Sequence, residues 1–207
     1  MEIDSELLQR LYTAPDLCVF DRQGRYVRRF GRKGEGQGEF DCPLGLCFTA
    51  DGHLVVGDRG NDRVQILRED GTFVRSFGSL GSGEGQFNNL CDVGAGPDGS
   101  IAVVDTGNHR VEVFDEAGVF VRSIGSEGEG PGQFKYPVGV AVGGGGEIIV
   151  SDFSREDVQV FGREGELLQI IGAGGDSDVA FDRPRFVATD GEGRLFVADE
   201  DSVRMLC

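Results

Sequence analysis

The chain has 207 residues, enough to bury a full-sized core, and 36 acidic against 20 basic side chains give it a formal net charge of −16. Such a surface disfavours polyanions as partners, because neutralising phosphates requires basic side chains. No apolar run approaches the roughly 20 residues that cross a bilayer, and the N-terminus is acidic where a signal peptide is basic. We therefore expect a soluble, cytoplasmic protein that does not engage a membrane.

The cysteines indicate the same compartment. They are odd in number, form no CxxC pair and fall at unequal positions of the repeat described next: Cys18, Cys42, Cys47, Cys91 and Cys207. A disulfide framework would require a paired and regular arrangement. We expect small apolar side chains in a reducing environment.

An internal repeat of 47 residues organises the chain. Five positions recur at this step without an insertion, represented by Gly24, Gly31, Phe40, Gly52 and Asp58 and their later equivalents. The most regular unit contains Val103-Val104-Asp105-Thr106-Gly107-Asn108-His109-Arg110-Val111. About four and a half units fit in the chain, so it is a repeat protein.

Each unit predicts four short strands separated by turns. At the start, Leu17–Phe20 and Tyr26–Phe30 match the third and fourth strands of a unit, and a weak second strand is expected at 7–11. In the second complete unit the strands are expected at 92–95, 101–104, 111–114 and 120–124. The last unit supplies its first three strands at 186–189, 195–198 and 203–207. Strands at this spacing, without helical periodicity, indicate an antiparallel all-β architecture.

Four-stranded units at this period are typical of the blades of a β-propeller. Small residues on the innermost strands, such as Gly94, Ala141 and Ala188, suit the crowding around a central axis. One phenylalanine closes each connector between units and is expected to pack between adjacent blades: Phe40, Phe87, Phe134 and Phe181.

The Gly-Gln-Phe connector, the inner strand and the Asp-Thr-Gly-Asn-His-Arg loop resemble the NHL repeat, most closely that of the C-terminal propellers of tripartite-motif (TRIM-NHL) ubiquitin ligases. The resemblance covers about residues 15–207, although Asn108-His109 is the only full Asn-His signature. It implies one propeller region, 1–207, with a partial blade at 7–39, repeats at 40–86, 87–133 and 134–180, and a partial blade at 181–207.

The resemblance also implies a six-bladed ring, which this chain does not fill. We expect an incomplete, open ring; closure with fewer blades is the alternative. An open ring would expose Phe186, Leu195, Phe196, Val197 and Met205 on its last unit, and would leave a strand edge at 203–207. Self-association through that edge is expected.

A repeated aspartate with an arginine five residues later predicts a turn clamp, in which the carboxylate accepts from loop N–H groups and from the arginine. The pairs are Asp58 with Arg63, Asp105 with Arg110, and Asp199 with Arg204. Asp152 is followed by Asp157 at the arginine position, so a looser loop is expected there. A group that recurs in every blade has a structural role, not a catalytic one.

No catalytic, cofactor or metal site is expected. The only histidines, His53 and His109, fall in a hairpin turn and in a loop at the opposite end of the blade, whereas zinc hydrolases require converging histidines. The glycine-rich connectors lack the Gly-Lys-Ser/Thr ending and the helix of a phosphate-binding loop.

The function expected is a non-catalytic protein-interaction scaffold that resembles the substrate-recruiting propeller of a TRIM-type ligase. Any ligase activity would belong to a RING domain outside this chain. The candidate partner-binding face comprises Arg59, Asn61, Asp62, Asn108, His109, Phe153 and Arg155. The alternative is an RNA stem-loop-binding NHL domain acting in post-transcriptional regulation; a basic run at 22–33 favours it and the net charge of −16 opposes it.

Overall fold

The computed structural model describes residues 16–172 and 180–200, together with the backbone of 203–206. Over these residues the chain forms 17 β-strands and two single turns of 3-10 helix. The strands form five antiparallel sheets, and within each sheet they are hydrogen-bonded in chain order. The all-β class is therefore confirmed.

The first sheet has two strands, the next three have four each, and the fifth has three. The first sheet contains β1 (Leu17–Phe20) and β2 (Tyr26–Phe30). The second contains β3 (Pro43–Phe48), β4 (Leu54–Asp58), β5 (Arg63–Leu67) and β6 (Phe73–Phe77). The third contains β7 (Leu90–Ala95), β8 (Ile101–Asp105), β9 (Arg110–Phe114) and β10 (Phe120–Ile124). The fourth contains β11 (Pro137–Val142), β12 (Ile148–Asp152), β13 (Asp157–Phe161) and β14 (Leu167–Gly172). The fifth contains β15 (Phe186–Thr189), β16 (Leu195–Ala198) and β17 (Val203–Leu206).

The observed strands are slightly longer than predicted at the end where the Asp–Arg pairs lie. Asp105 and Arg110 form the last pair of the ladder between β8 and β9, and Asp58 and Arg63 do the same between β4 and β5. The strand predicted at 7–11 lies outside the described residues.

Glycines at positive φ close the turns between the first and second strands of the complete sheets. Gly52, Gly99 and Gly146 have φ of 87°, 84° and 92°. Each donates its N–H to a carbonyl three residues earlier, as in Gly52 to Thr49 at 3.0 Å. Glycine is favoured because an L side chain rarely adopts this φ.

The connector phenylalanines pack between adjacent sheets, as predicted. Phe87 is completely buried among Val64 and Ile66 of the second sheet and Leu90 and Val103 of the third. Phe134 packs in the same way between the third and fourth sheets, Phe181 between the fourth and fifth, and Phe40 between the first and second. The hydrophobic core is thus a series of layers between sheets.

The innermost strands of the last four sheets lie side by side: β3 contacts β7, β7 contacts β11, and β11 contacts β15. Four-stranded antiparallel sheets arranged in this way are the blades of a propeller.

The last sheet differs from the expectation in one respect. Leu195 and Val197 are buried with Phe181 against the fourth sheet, and it is Phe186, 41% exposed, that faces solvent. The reason is the two-residue period of a strand, which places Leu195 and Val197 on the face opposite to Phe196.

In the described part of the chain, no helix is long and apolar enough to cross a membrane. Four of the five cysteines lie there, and all four are free thiols: Cys18, Cys42, Cys47 and Cys91.

Candidate functional site

The predicted partner-binding residues all lie at one end of the sheets, which we call the upper face. This face is formed by the loops between the second and third strands of each sheet and by the connectors at 31–42, 78–89 and 125–136. The opposite end carries the turns between the first and second strands, where His53 lies. Two of the upper loops contain the 3-10 turns Arg59–Asn61 and Thr106–Asn108.

The turn clamp of the second sheet fastens its upper loop to the preceding connector. Asp58 is fully buried and accepts from Arg63 Nε at 2.8 Å and from the Asn61 amide at 2.8 Å. Its other oxygen accepts from the Asp41 N–H at 2.7 Å. The remaining Arg63 donors bind connector carbonyls of Glu35, Gly36 and Glu39. The carboxylate thus has a full set of partners within the protein.

The third sheet repeats this geometry at Asp105. Arg110 Nε donates at 2.8 Å, the Asn108 amide at 2.7 Å and the Asn88 N–H at 2.8 Å. Arg110 Nη2 also binds the connector carbonyls of Gly83 and Gln86. In the fifth sheet, the Asp182 N–H donates to Asp199 at 3.0 Å, and the side chain of Arg204 lies outside the described residues.

The loop after Asp152 is ordered differently, and the looser loop expected there is not observed. Asp152 accepts from four backbone N–H groups, those of Lys135, Tyr136, Ser154 and Arg155. Arg155 supplies the guanidinium: Nη2 lies 2.7 Å from Asp157, and Nη1 binds the Gly130 carbonyl at 3.2 Å. Gly130 is the repeat equivalent of Gly83, so this arginine reaches the same connector position from a different place in the sequence.

Asp157 is fully buried at the position where the other complete sheets have arginine. Burial raises the pKa of this carboxyl, and the adjacent Arg155 opposes the rise. One of its oxygens, Oδ1, has no hydrogen-bond partner.

The side chains of six of the seven residues expected on the partner-binding face, all except Phe153, form hydrogen bonds within the protein. Besides Asn61 and Asn108 in the clamps, Arg59 Nε donates to Asn89 at 2.6 Å and Asp62 accepts from the Asn89 N–H at 3.1 Å. His109, in the left-handed region at φ 55°, holds the Lys135 carbonyl with its Nδ1 at 2.7 Å. These contacts order the upper face and leave little of these polar groups for a partner.

The upper face instead presents a cluster of aromatic and arginine side chains, Tyr136, Phe153, Arg183 and Arg185, which we call the aromatic–arginine cluster. The rings of Tyr136 and Phe153 are 6.0 Å apart at an angle of 62°. The Arg185 guanidinium lies 4.8 Å above the Phe153 ring, within cation–π range, and that of Arg183 lies at 5.9 Å. Tyr136 is 42% exposed, and both arginines are exposed.

Sequence reasoning identified Phe153 and missed the other three members of the cluster. Tyr136 and Arg183 are repeat equivalents of Cys42 and Asn89 at the start of the innermost strands. The repeat register therefore contained a usable signal, since it places one residue per blade on the upper rim. The repeat register does not show that Arg185 of the fifth sheet contacts Phe153 of the fourth.

A second missed residue lies on the innermost strand β7. Asp92 is buried, and its carboxylate accepts from the Val93 N–H at 2.9 Å and from the Val140 N–H of β11 at 3.0 Å. Burial raises the pKa of this group to about 6, and the two hydrogen bonds oppose the rise. Its repeat equivalents are Gly45, Gly139 and Phe186, none of which has a carboxylate, so it is a bridge peculiar to the third and fourth sheets.

Among the described residues, no three histidine, cysteine, aspartate or glutamate side chains are grouped so as to hold a metal ion. His53 pairs with Asp51 at 2.8 Å in a turn at the lower end, and His109 lies in the upper loop after β8.

Two family models match parts of the chain. Residues 40–67 match the model described as NHL repeat, and residues 95–173 match DUF5128, described as a 6-bladed beta-propeller. The sequence-based recognition of NHL-type propeller repeats is thereby confirmed.

Curated relatives share short stretches with the chain. Protein lin-41 of Caenorhabditis elegans is 43% identical over 44 residues, 21% of this chain and 4% of that protein. E3 ubiquitin-protein ligase TRIM32 of Homo sapiens is 35% identical over 52 residues, 25% of this chain and 8% of that protein. The matches thus span a small part of each relative's own length.

Solved structures show the fold over nearly the whole chain. A virginiamycin B lyase from Staphylococcus aureus superposes with a TM-score of 0.67 and 15% identity, covering 94% of this chain and 60% of that one. A gluconolactonase from Xanthomonas campestris gives a TM-score of 0.65 and 21% identity, covering 91% and 63%. Because enzymes are among the structures with this fold, the fold by itself does not separate a binding domain from a catalyst.

Proposed function

We propose that this NHL-type propeller is a non-catalytic protein-interaction scaffold whose partner docks on the upper face around the aromatic–arginine cluster. In this role it resembles the substrate-recruiting propeller of a TRIM-type ubiquitin ligase. Ubiquitin transfer would belong to a RING domain of the parent protein. Residues 1–207 would form one propeller region with the repeat boundaries given above. The protein would act in the cytoplasm, where the free thiols of Cys18 and Cys91 would remain reduced.

The observation that carries the proposal is the packing of the cluster. Tyrosine, other aromatic residues and arginine are enriched in the energetically dominant parts of protein interfaces. Here Arg185 and Tyr136 flank Phe153 at 4.8 and 6.0 Å, so the rings are held in place before any partner arrives. A preformed patch of this kind costs less conformational entropy on binding than flexible side chains do.

The repeated carboxylates support a non-catalytic role. Asp58, Asp105 and Asp152 are fully buried, and each accepts three or more hydrogen bonds from its own loop and connector. A general base must reach a substrate proton. These groups point into the protein, where they hold the upper loops.

Site-specific photo-crosslinking tests the proposal. A benzophenone amino acid at Tyr136, which is 42% exposed, should crosslink a partner protein in cells that contain it, whereas the same group at Tyr26, which is 57% exposed on the outer strand β2, should not. Replacing Phe153 by alanine should reduce the Tyr136 crosslink about tenfold, the effect of losing a dominant interface residue. Equal crosslinking from Tyr26, or no effect of Phe153→Ala, would contradict the assignment of this face.

RNA binding is the second candidate, because stacked aromatic and arginine side chains also suit unpaired bases. Acidic groups oppose it: Glu200 lies 2.8 Å from Arg183 and 3.8 Å from Arg185, and Glu129 pairs with Lys135. The basic run at 22–33 is similarly paired, as in Arg25 with Asp21 at 2.6 Å and Arg29 with Asp16 at 3.2 Å.

A fluorescence titration with pooled RNA stem-loops, at about 50 and 200 mM salt, separates the two candidates. We expect no RNA binding at the higher salt. Sub-micromolar binding that weakens steeply with salt, and whose salt dependence decreases in Arg185→Ala, would establish RNA as the ligand instead.

A further inference from the structure

Glu112, near the middle of β9, is a buried carboxyl group whose oxygens have no hydrogen-bond partner in ordinary geometry. Its residue exposure is 0%. The nearest cationic group is Arg110, whose Nη2 lies 3.2 Å from Oε1. That guanidinium is already bound to Asp105 and to connector carbonyls.

The repeat shows what this position normally does. Its equivalents are Gln65 and Gln159, and both are buried and hydrogen-bonded. The Gln65 side chain accepts from the Gly38 N–H at 3.0 Å and donates to the Glu39 carbonyl at 2.6 Å. Gln159 accepts from the Gly132 N–H at 2.8 Å and donates to the Gln133 carbonyl at 2.8 Å. In both sheets, one amide thus binds the connector twice.

The corresponding connector residues in the third sheet are Gly85 and Gln86, and the Gly85 N–H acts on the Glu112 carboxyl group. A carboxylate can accept from the Gly85 N–H, but it cannot donate to the Gln86 carbonyl. A protonated carboxyl group can do both, as an amide does. An ionised Glu112 would therefore place a buried negative oxygen against a carbonyl oxygen, without water to screen them.

The charges around Glu112 act in both directions. Arg110 on its own strand and the Gly85 N–H of the connector favour the ionised form, whereas Asp105 on β8 and Glu84 in the connector disfavour it. The residues opposite it in the neighbouring strands, Val103 of β8 and Ser123 of β10, are uncharged. Burial is the largest effect, and the pKa of Glu112 rises from an ordinary 4.5 to about 7.

We propose that Glu112 is a proton-dependent fastening of the connector at 78–89: its neutral carboxyl group binds the connector as Gln65 and Gln159 bind theirs, and ionisation releases it. Because the group binds its proton more tightly in the folded protein, its stabilising contribution is complete below about pH 4.5. The contribution is lost as the pH rises through about 7. The connector carries Phe87, which packs between two sheets, and the connector also borders the upper face. Ionisation of Glu112 therefore loosens both the packing of Phe87 and the upper face.

Carbon-13 NMR of the full chain labelled at the glutamate carboxyl carbons tests the protonation directly. One glutamate resonance should titrate near pH 7, well above the ordinary range of about 4, and it should be missing from Glu112→Gln. The buried aspartates, Asp92 and Asp157 among them, carry no label and cannot be confused with it. If every glutamate titrates in the ordinary range, the proposal is wrong, whether or not the variant folds.

Hydrogen exchange tests the fastening. The Gly81 and Phe87 amides are bonded within the connector, to Phe87 and Ser79 carbonyls at 2.9 and 2.8 Å. Their protection factors should fall about tenfold between pH 6 and 8.5 in the natural chain and change by less than about twofold in Glu112→Gln. Ser82→Ala, an exposed change in the same connector that removes no charge, is the control and should retain the fall. Equal pH dependence in the natural chain and Glu112→Gln would overturn the proposal.

Discussion

At the scale of single residues, the upper face is held together by buried charges with internal partners. Asp58 and Asp105 each receive an arginine, an asparagine amide and a connector N–H, which offsets the cost of taking a carboxylate out of water. Asp152 reaches the same state with backbone donors alone. The carboxylate is the constant part of the clamp, and its partners vary.

This constancy gives a stability prediction. Asp105→Ala should lower the free energy of unfolding by about 1–3 kcal/mol, because Arg110 and Asn108 lose their common acceptor. Asp152→Ala should cost a similar amount, since four N–H groups lose theirs. Asp70→Ala, at an exposed turn, is the control and should change stability by less than about 0.5 kcal/mol. Urea denaturation of the three variants measures this. A loss at Asp152 as small as that at Asp70 would contradict the prediction.

At the scale of elements, the unit of packing is a connector and the two sheets it joins. The connectors that begin at Gly78 and Gly125 start with a glycine at positive φ on which the closing phenylalanine lies. A Cβ on Gly78 would come within 2.4 Å of the Phe87 ring, and one on Gly125 within 2.3 Å of the Phe134 ring. The paired glycine and phenylalanine positions of the repeat are therefore explained by one contact.

Phe134→Ala should remove the centre of the layer between the third and fourth sheets, where the ring contacts Phe161 at 5.8 Å between centroids. We expect a loss of about 3–5 kcal/mol, as for other buried phenylalanines. Phe20→Ala is the control, because Phe20 is 58% exposed on β1. This change should lower the free energy of unfolding far less. Thermal or denaturant unfolding separates the two variants. Similar losses would mean that the connector ring is not a core residue.

At the scale of the whole molecule, the innermost strands and the two end sheets present unusual surfaces. Leu46 and Phe48 of β3 are each 58% exposed, and Phe186 of β15 is 41% exposed. Among the described strands, β1 and β17 match the third strand of a unit and each have one hydrogen-bonded neighbour, whereas the third strands β5, β9 and β13 have two. Unpaired edges and exposed apolar side chains favour association.

We therefore expect the isolated 207-residue chain to self-associate, and to do so more at high salt, because screening weakens the repulsion between molecules of net charge −16. Light scattering over a range of concentrations measures this. A monomer at all concentrations and salt levels would show that these edges are covered within one chain.

The sequence by itself determined the repeat, the strand order and the role of the connector phenylalanines, because these depend on local alternation and on a register that never slips. It placed 17–20, 26–30, 120–124, 186–189 and 195–198 as the structure has them. It also placed the Asp58 and Asp105 loops, since their partners lie five residues away along the same hairpin.

Only the tertiary structure decided what depends on contacts between units. Arg155 was unpredictable as the substitute guanidinium because its target, the Gly130 carbonyl, lies in another connector. Likewise, the sequence does not show that Gln65 and Gln159 bind the connector. Only that contact reveals that Glu112 departs from the pattern of the repeat. The aromatic–arginine cluster joins two sheets across the upper rim. A periodic sequence fixes which residues are equivalent, but the packing of one blade against the next determines which of them meet.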